Sequence, residues 1–311
     1  MTMLDLESLT ANYLDIWQYQ RNLNPKTLKA YRIDLRQFID FMKTTDGDLN
    51  KANLSDYVTH LHKNYKPRSV KRKIACLKSF CSCLEQDDII EKNPFSKIRT
   101  KFQEPFYLPK TIPFDEIQEI FTAAYSELRK ADKGSFEHRK CIRDIAVLEL
   151  LFATGMRVSE LCSLKTEDIN LSDHYIIING KGSKERVVHI GNRSVIRALN
   201  MYKSAFCDKI SKSDYFFINR LDNRLSEQSV RAMILKYTNK ADISRHITPH
   251  MFRHSFATLL LEEDVDIRYI QQVLGHSSIV TTQIYTHVTS KKQKHILTEK
   301  HPRNKIIICE D

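Results

Sequence analysis

The sequence predicts a mainly α-helical protein that carries one small antiparallel β-sheet and divides into two domains. Three observations lead there. Apolar residues recur at helical spacing over most of the 311 residues, one stretch carries two β-rich segments around a glycine-rich turn, and periodicity lapses around a group of prolines. A chain of this length is ample for two separate cores.

Taken in order, a first short helix is expected at about 5–20. Asn24-Pro25 reads as an N-cap followed by proline in the first helical position, after which Leu28, Tyr31, Leu35, Phe38, Ile39 and Met42 form one apolar face. A further short helix is expected at about 53–63. Pro67 opens another, with Val70, Ile74, Leu77, Cys81 and Leu84 as its stripe. Between Asn93 and Pro113 four prolines, at 94, 105, 109 and 113, interrupt the pattern, because proline removes a donor and restricts its predecessor. The predicted division is an all-helical N-terminal domain over 1–103, a linker over 104–113 and a second domain over 114–311.

The second domain opens with helical stretches around 115–129 and 139–153, and the charged run from about Ser126 to Arg139 between them reads as a loop. In Tyr175–Ile190, two β-rich segments flank Gly-Lys-Gly-Ser, which predicts a hairpin with Lys181 at its tip. Helices are then expected near 194–207, 226–240, 249–262 and 266–274.

Forty-nine Lys and Arg against 38 Asp and Glu leave a net charge of +11, which favours a polyanionic partner, either nucleic acid or an anionic membrane surface. The acidic N-terminus is unlike a signal peptide, and no run of 18 apolar residues occurs, so a soluble, cytoplasmic protein that spans no membrane is expected. The cysteines, at 76, 81, 83, 141, 162, 207 and 309, lack the spacing of a zinc site and read as reduced core thiols. Between Tyr57 and Leu84 stand seven Lys or Arg (63, 66, 68, 71, 72, 73, 78) and no Asp or Glu. If the partner is nucleic acid, Arg68, Lys71 and Arg72 are the candidate phosphate or groove contacts there, weighed against a merely solvated basic face.

In Thr248–Leu261, Phe252, Phe256 and Leu259 share one helix face, while His250 and Arg253, three apart, share another. Small Ala257 beside that second face leaves room for a ligand. An isolated pair of this kind is usually a solvated polar face, but its neighbours add to it. Arg157 follows a glycine break in Ala-Thr-Gly-Met-Arg and precedes a predicted helix from Val158 to Leu164. His276 follows the helix-ending Gly275, and Tyr285 stands nine residues further on.

Together Arg157, His250-Met-Phe-Arg253, His276 and Tyr285, with Lys181 on the hairpin, resemble the active-site set of the tyrosine recombinase (phage integrase) family. The strings ATGMRVSELCSLK, GKGSKERVV, TPHMFRHSFATLLLE and VLGHSSIVTTQIYTHV, with His301-Pro-Arg303 in the tail, are most similar to its Xer branch. The resemblance implies a two-domain clamp around double-stranded DNA and strand cleavage through a 3′-phosphotyrosyl link. Exchange would pass through a Holliday junction, in a homotetramer or a hetero-tetramer with a related recombinase. It leaves both chromosome-dimer resolution and movement of a mobile element open.

These residue types suit that reaction. Negative charge develops on the nonbridging oxygens, the attacking phenol and the leaving 5′ oxygen, and each needs a positive partner. Arg157 and Arg253 suit the nonbridging oxygens, since a guanidinium donates two parallel hydrogen bonds and stays charged. His250 is the candidate base for a tyrosine whose ordinary pKa is near ~10. His276 would donate to a nonbridging oxygen, and the resemblance assigns the proton for the leaving oxygen to Lys181. No metal and no cofactor are expected, and no G-x-x-x-x-G-K-[ST] motif for ATP is present. Two other readings use the same residues. A type IB topoisomerase is disfavoured by the Xer-like tail and the helical N-terminal region, and a noncatalytic DNA-binding factor by the filled catalytic set. In the tail, Ser290–Lys300 and the apolar Ile306–Cys309 suggest a segment that docks on a neighbouring protomer, or in cis on its own domain.

Overall fold

The computed structural model describes residues 3–100, 102, 109–180 and 185–275. The chain divides into two compact units between Phe106 and Tyr107.

In the first unit, α1 (Met3–Asp15) runs into a π-helical turn (Ile16–Gln20), followed by α2 (Pro25–Met42), α3 (Lys51–Asn64), α4 (Pro67–Gln86) and a 3₁₀ turn (Pro94–Lys97). Asn24 caps α2 as its sequence suggests, its side chain accepting from the Lys26 N–H at 2.9 Å. The expected stripes of α2 and α4 are buried against Leu54, Tyr57 and Leu61 of α3, with Tyr31 half-buried at the margin. Two charges lie inside this core. Asp34 falls between Tyr31 and Phe38 on the α2 stripe, and Lys73 between Val70 and Leu77 on that of α4. Lys73 Nζ donates to Asp34 Oδ1 at 2.9 Å and stands 4.6 Å from the centroid of the Tyr65 ring, while Arg72 pairs with the other carboxylate oxygen. Lys73 therefore does not belong to a basic surface. It is one of the seven cations between Tyr57 and Leu84, but its position on the stripe turns it inward, where only pairing makes a charge tolerable.

The second unit contains α5 (Phe114–Lys130), α6 (Phe136–Thr154), α7 (Val158–Ser163), strands β1 (Ile169–Asn170), β2 (Tyr175–Asn179) and β3 (Glu185–His189), α8 (Arg193–Ala205), α9 (Cys207–Ile210), α10 (Glu227–Lys240), α11 (Pro249–Glu262) and α12 (Ile267–Leu274). Helix α6 buries Cys141, Ile142, Ile145, Ala146, Val147, Leu148, Leu150 and Leu151 on nearly every side, as a central helix must. It packs against α5, α8 and α11. The strands form an antiparallel sheet in the order β1-β2-β3, with Ile176 opposite Val188 and Ile178 opposite Arg186. Two-residue β1 is too short to show any alternation in sequence.

Three expectations need correction. The charged run 126–139 is mostly helix: Ser126–Lys130 close α5, Phe136–Arg139 open α6, and only 131–135 connect them. Ser135 caps α6 by accepting from the His138 N–H at 3.0 Å, a signal outweighed by the density of charge. Cys207 is exposed at the start of α9 and is no core thiol; Cys76, Cys81, Cys141 and Cys162 are buried, Cys83 is half-buried, and Cys309 lies outside the described residues. Ala257 faces no open space. It is fully buried with Leu261, Ile270 and Leu274, where α11 packs on α12.

At the entry to the second unit Ile112 is buried, and its N–H donates to Ser255 Oγ on α11 at 2.7 Å. This fastens the incoming chain to the helix that carries His250 and Arg253.

Candidate active site

Helix α6 stops because Gly155 adopts φ 58°, a left-handed turn that glycine accepts most easily. A second requirement is steric. A Cβ on Gly155 would lie 2.5 Å from Phe256 Cδ1 of α11 and 2.9 Å from Leu274 Cδ2 of α12. The chain then turns through buried Met156 to Arg157, the N-cap of α7. Glu160, three residues on, reaches back: its Oε2 accepts from the Arg157 backbone N–H at 2.9 Å and its Oε1 from Arg157 Nη1 at 2.7 Å. A guanidinium carries five N–H donors, so one edge of Arg157 is held while its side chain remains 34 % exposed.

Glu160 is itself buried and takes a second cation, Arg186 of β3, whose Nη1 and Nη2 reach its two oxygens at 3.2 and 2.7 Å. Burial pushes this carboxyl up, but the bonds from Arg186 and from the Arg157 backbone and side chain outweigh it, and the net pKa lies below the ordinary carboxylate value. Glu160 therefore stays ionised between two arginines.

On α11, Pro249 occupies the first turn, His250 is exposed beside it, and Arg253 lies one turn further on, almost fully buried. Arg253 Nη1 donates to the Gly155 carbonyl at 2.8 Å and Nη2 to that of Leu274 at 2.7 Å. Both acceptors lie where a helix ends in a left-handed glycine, Gly155 for α6 and Gly275 (φ 65°) for α12. A cation there meets the negative ends of two helices.

The electrostatics bring the three residues together. Partial burial lowers the pKa of His250 below its ordinary value, and Arg253, Arg157 and Arg231 lower it further, with Glu227 opposing. Arg231 is paired with Glu227 on α10 at 3.0 Å. His254, the next residue after Arg253, is pushed down to about 4 by burial and by the nearby His250 and Arg253. The site is thus a cationic surface with a neutral imidazole in it. It can attract an anion and accept a proton beside it.

Of the six predicted catalytic residues, Arg157, His250 and Arg253 are brought to one place by α7 and α11. Lys181, His276 and Tyr285 lie outside the described residues, as does the tail from Ser290 to Cys309 with His301-Pro-Arg303. Strands β2 and β3 that flank Lys181 pair as a hairpin, and α12 ends at Leu274, two residues before His276, with Gly275 as its C-cap. In the first unit Arg68 and Lys71 are exposed on α4, and Arg72 is partly exposed and paired with Asp34. Glu160, Arg186, Arg231 and His254 were not singled out. Glu160 was legible, three residues past an N-cap, where an acidic side chain returns to the N-cap backbone. Among the described residues no group of three or more His, Cys, Asp or Glu is placed to hold a metal ion, and no helix is long and apolar enough to cross a membrane.

Comparison with known proteins covers nearly the whole chain. Residues 110–292 match the Phage integrase family, and residues 11–87 match the Phage integrase N-terminal SAM-like domain. A tyrosine recombinase of Agathobacter rectalis is 50 % identical over 302 residues, covering 97 % of this chain and 98 % of the relative. Tyrosine recombinase XerD of Listeria innocua is 34 % identical over 308 residues, covering 96 % and 100 %. Among solved structures, XerH recombinase bound to a palindromic difH substrate in a post-cleavage complex superimposes with a TM-score of 0.75 at 20 % identity, over 94 % of this chain and 84 % of that one. A lambda integrase tetramer bound to a Holliday junction gives 0.65 at 19 % identity, over 90 % and 76 %.

Proposed function

This chain belongs to the phage integrase family of tyrosine recombinases and is a site-specific recombinase; from that premise we propose that Tyr285 is its nucleophile and that Arg157, Lys181, His250, Arg253 and His276 complete the site. The Tyr285 Oη attacks a DNA phosphorus and passes its proton to His250. The bond from phosphorus to the 5′ oxygen breaks, and its electron pair leaves on that oxygen, which takes a proton from Lys181. Arg157, Arg253 and His276 meet the charge on the nonbridging oxygens. The product is a 3′-phosphotyrosine and a free 5′ hydroxyl. Rejoining runs the same steps backwards with the 5′ hydroxyl of the partner strand. One phosphoester replaces another, so no ATP is needed, and the charges of Arg157, Arg253, Lys181 and the two histidines take the place of a metal.

One observation supports this reading above the rest: the His250 imidazole, at the start of α11, has its pKa lowered by partial burial and further by Arg253 and Arg157. A neutral base among fixed cations is what attack by a phenol on a phosphodiester requires.

In this reading the first unit binds duplex DNA through Arg68, Lys71 and Arg72, the second cleaves it, and residues 104–113 link them. Four protomers act on two sites through a Holliday junction, by likeness to the lambda integrase tetramer on such a junction. Since relatives carry both the XerC and XerD names, a second recombinase in a mixed tetramer fits as well as a homotetramer. The tail docks in trans, so truncation after His287 lowers cooperative binding to paired half-sites while monomer binding persists.

A nicked suicide substrate that traps the cleaved strand tests the central assignment. Wild type accumulates a covalent protein-DNA adduct in the presence of EDTA, and Tyr285→Phe binds the site with near-normal affinity and forms none. An adduct in the phenylalanine variant would place the nucleophile elsewhere.

A further inference from the structure

Arg186 stands opposite Ile178 across the β2–β3 pairing, and cross-strand partners share a face. That is the face on which Ile176, Ile178 and Val188 are buried, so Arg186 is a cation aimed inward. Its side chain is only 11 % exposed. It meets three acceptors there: both oxygens of Glu160 on α7, and the carbonyl of Val273 near the end of α12, which Nε reaches at 2.7 Å. Gly275 makes room for it, since a Cβ at that position would lie 2.9 Å from Arg186 Nη1 and 3.0 Å from its Cδ.

Each of these contacts leads to a different part of the proposed site. Glu160 also holds Arg157. Val273 precedes His276 by three residues, and Lys181 precedes Arg186 by five on the same hairpin. Buried ion pairs contribute little net stability compared with apolar packing, so stability alone is a weak reason for this one. A planar guanidinium that donates in two directions does supply fixed orientation, which a lysine cannot reproduce.

We propose that Arg186 is a positioning residue for strand cleavage, locking the hairpin that carries Lys181 to α7 and to the end of α12. The inference rests on the reading of Lys181 as proton donor to the leaving 5′ oxygen. Arg186 touches no reacting atom and acts through the register of three elements.

The test compares single-turnover cleavage of ordinary DNA with cleavage of DNA whose leaving 5′ oxygen is replaced by sulfur, a leaving group that needs no proton. Arg186→Met should bind the site within about threefold of wild type, cleave ordinary DNA about 10²-fold more slowly, and recover at least tenfold on the sulfur substrate, the pattern also expected of Lys181→Ala. Arg186→Lys keeps the charge and the fold, and should show the same pattern with a smaller loss. That variant carries the test if Arg186→Met fails to fold, as judged by its melting profile. Wild-type rates in the methionine variant would overturn the inference. So would equal slowing on both substrates while Lys181→Ala recovers, an outcome that leaves the lysine reading intact. If Lys181→Ala itself fails to recover, the proton-donor reading falls, and the double variant Lys181→Ala/Arg186→Met decides on ordinary DNA. A double variant no slower than Lys181→Ala supports positioning through the hairpin, and multiplied losses reject it.

Discussion

Arg253 donates to the carbonyl of Leu274 across 2.7 Å, binding α11 to the last residue of α12 two positions before His276. A proposed phosphate ligand is therefore also a structural brace. Arg253→Lys keeps the charge but loses the fork that reaches Gly155 and Leu274 together. Single-turnover cleavage should fall by about 10²-fold, the scale of losing a donor to a developing oxyanion. Urea unfolding should show a loss of about 1–3 kcal/mol from unsatisfied buried carbonyls. Unchanged stability with lost cleavage would separate the two roles.

Gly155→Ala should be destabilising for two independent reasons. Its φ of 58° strains any side chain, and its Cβ would meet the Phe256 ring at 2.5 Å. Together these cost about 2–4 kcal/mol. Gly155→Ala/Phe256→Leu should recover part of the loss, because trimming the ring relieves the clash and leaves the backbone strain. Thermal melts of the three proteins check the ordering.

His254 makes stability depend on pH. Its pKa in the folded protein is about 4, below the ordinary histidine value near ~6.5. Between those values the unfolded chain binds a proton that the folded chain refuses. The stabilisation is complete above the ordinary value and is lost as pH falls towards the folded one, by at most about 3 kcal/mol. His254→Gln should flatten the pH dependence of unfolding in that window. Parallel curves for variant and wild type would assign the acid sensitivity to other groups.

On α4, neighbouring cations should behave oppositely. Arg68→Ala and Lys71→Ala, at exposed positions, should weaken DNA binding with little effect on melting, and each should reduce the salt-dependence slope by about 1. Lys73→Ala removes a buried partner of Asp34 and should cost about 3–5 kcal/mol of stability. Binding titrations over a salt series, read beside denaturant unfolding, distinguish the two classes.

Local chemistry made most of this protein legible in its sequence. Helices α2 and α4 declare themselves through stripes behind Pro25 and Pro67. Gly155 and Gly275 end α6 and α12 as expected, and the hairpin is marked by two β-rich segments on either side of Gly-Lys-Gly-Ser. Such signals lie within a few residues of the feature they specify, because helix caps, turns and periodic burial are local requirements. Arg157, His250 and Arg253 were legible as a set only through family resemblance, since they come from segments that a single sequence does not connect. Tertiary structure decided which charges face inward and what they meet. Asp34 finds Lys73, Glu160 finds both Arg157 and Arg186, and Arg253 finds Gly155 and Leu274. A polar residue on an apolar stripe is read by default as solvated, because its burial depends on a partner many residues away. Only the folded chain supplies that partner, and with it the reason that a charge can leave water at all.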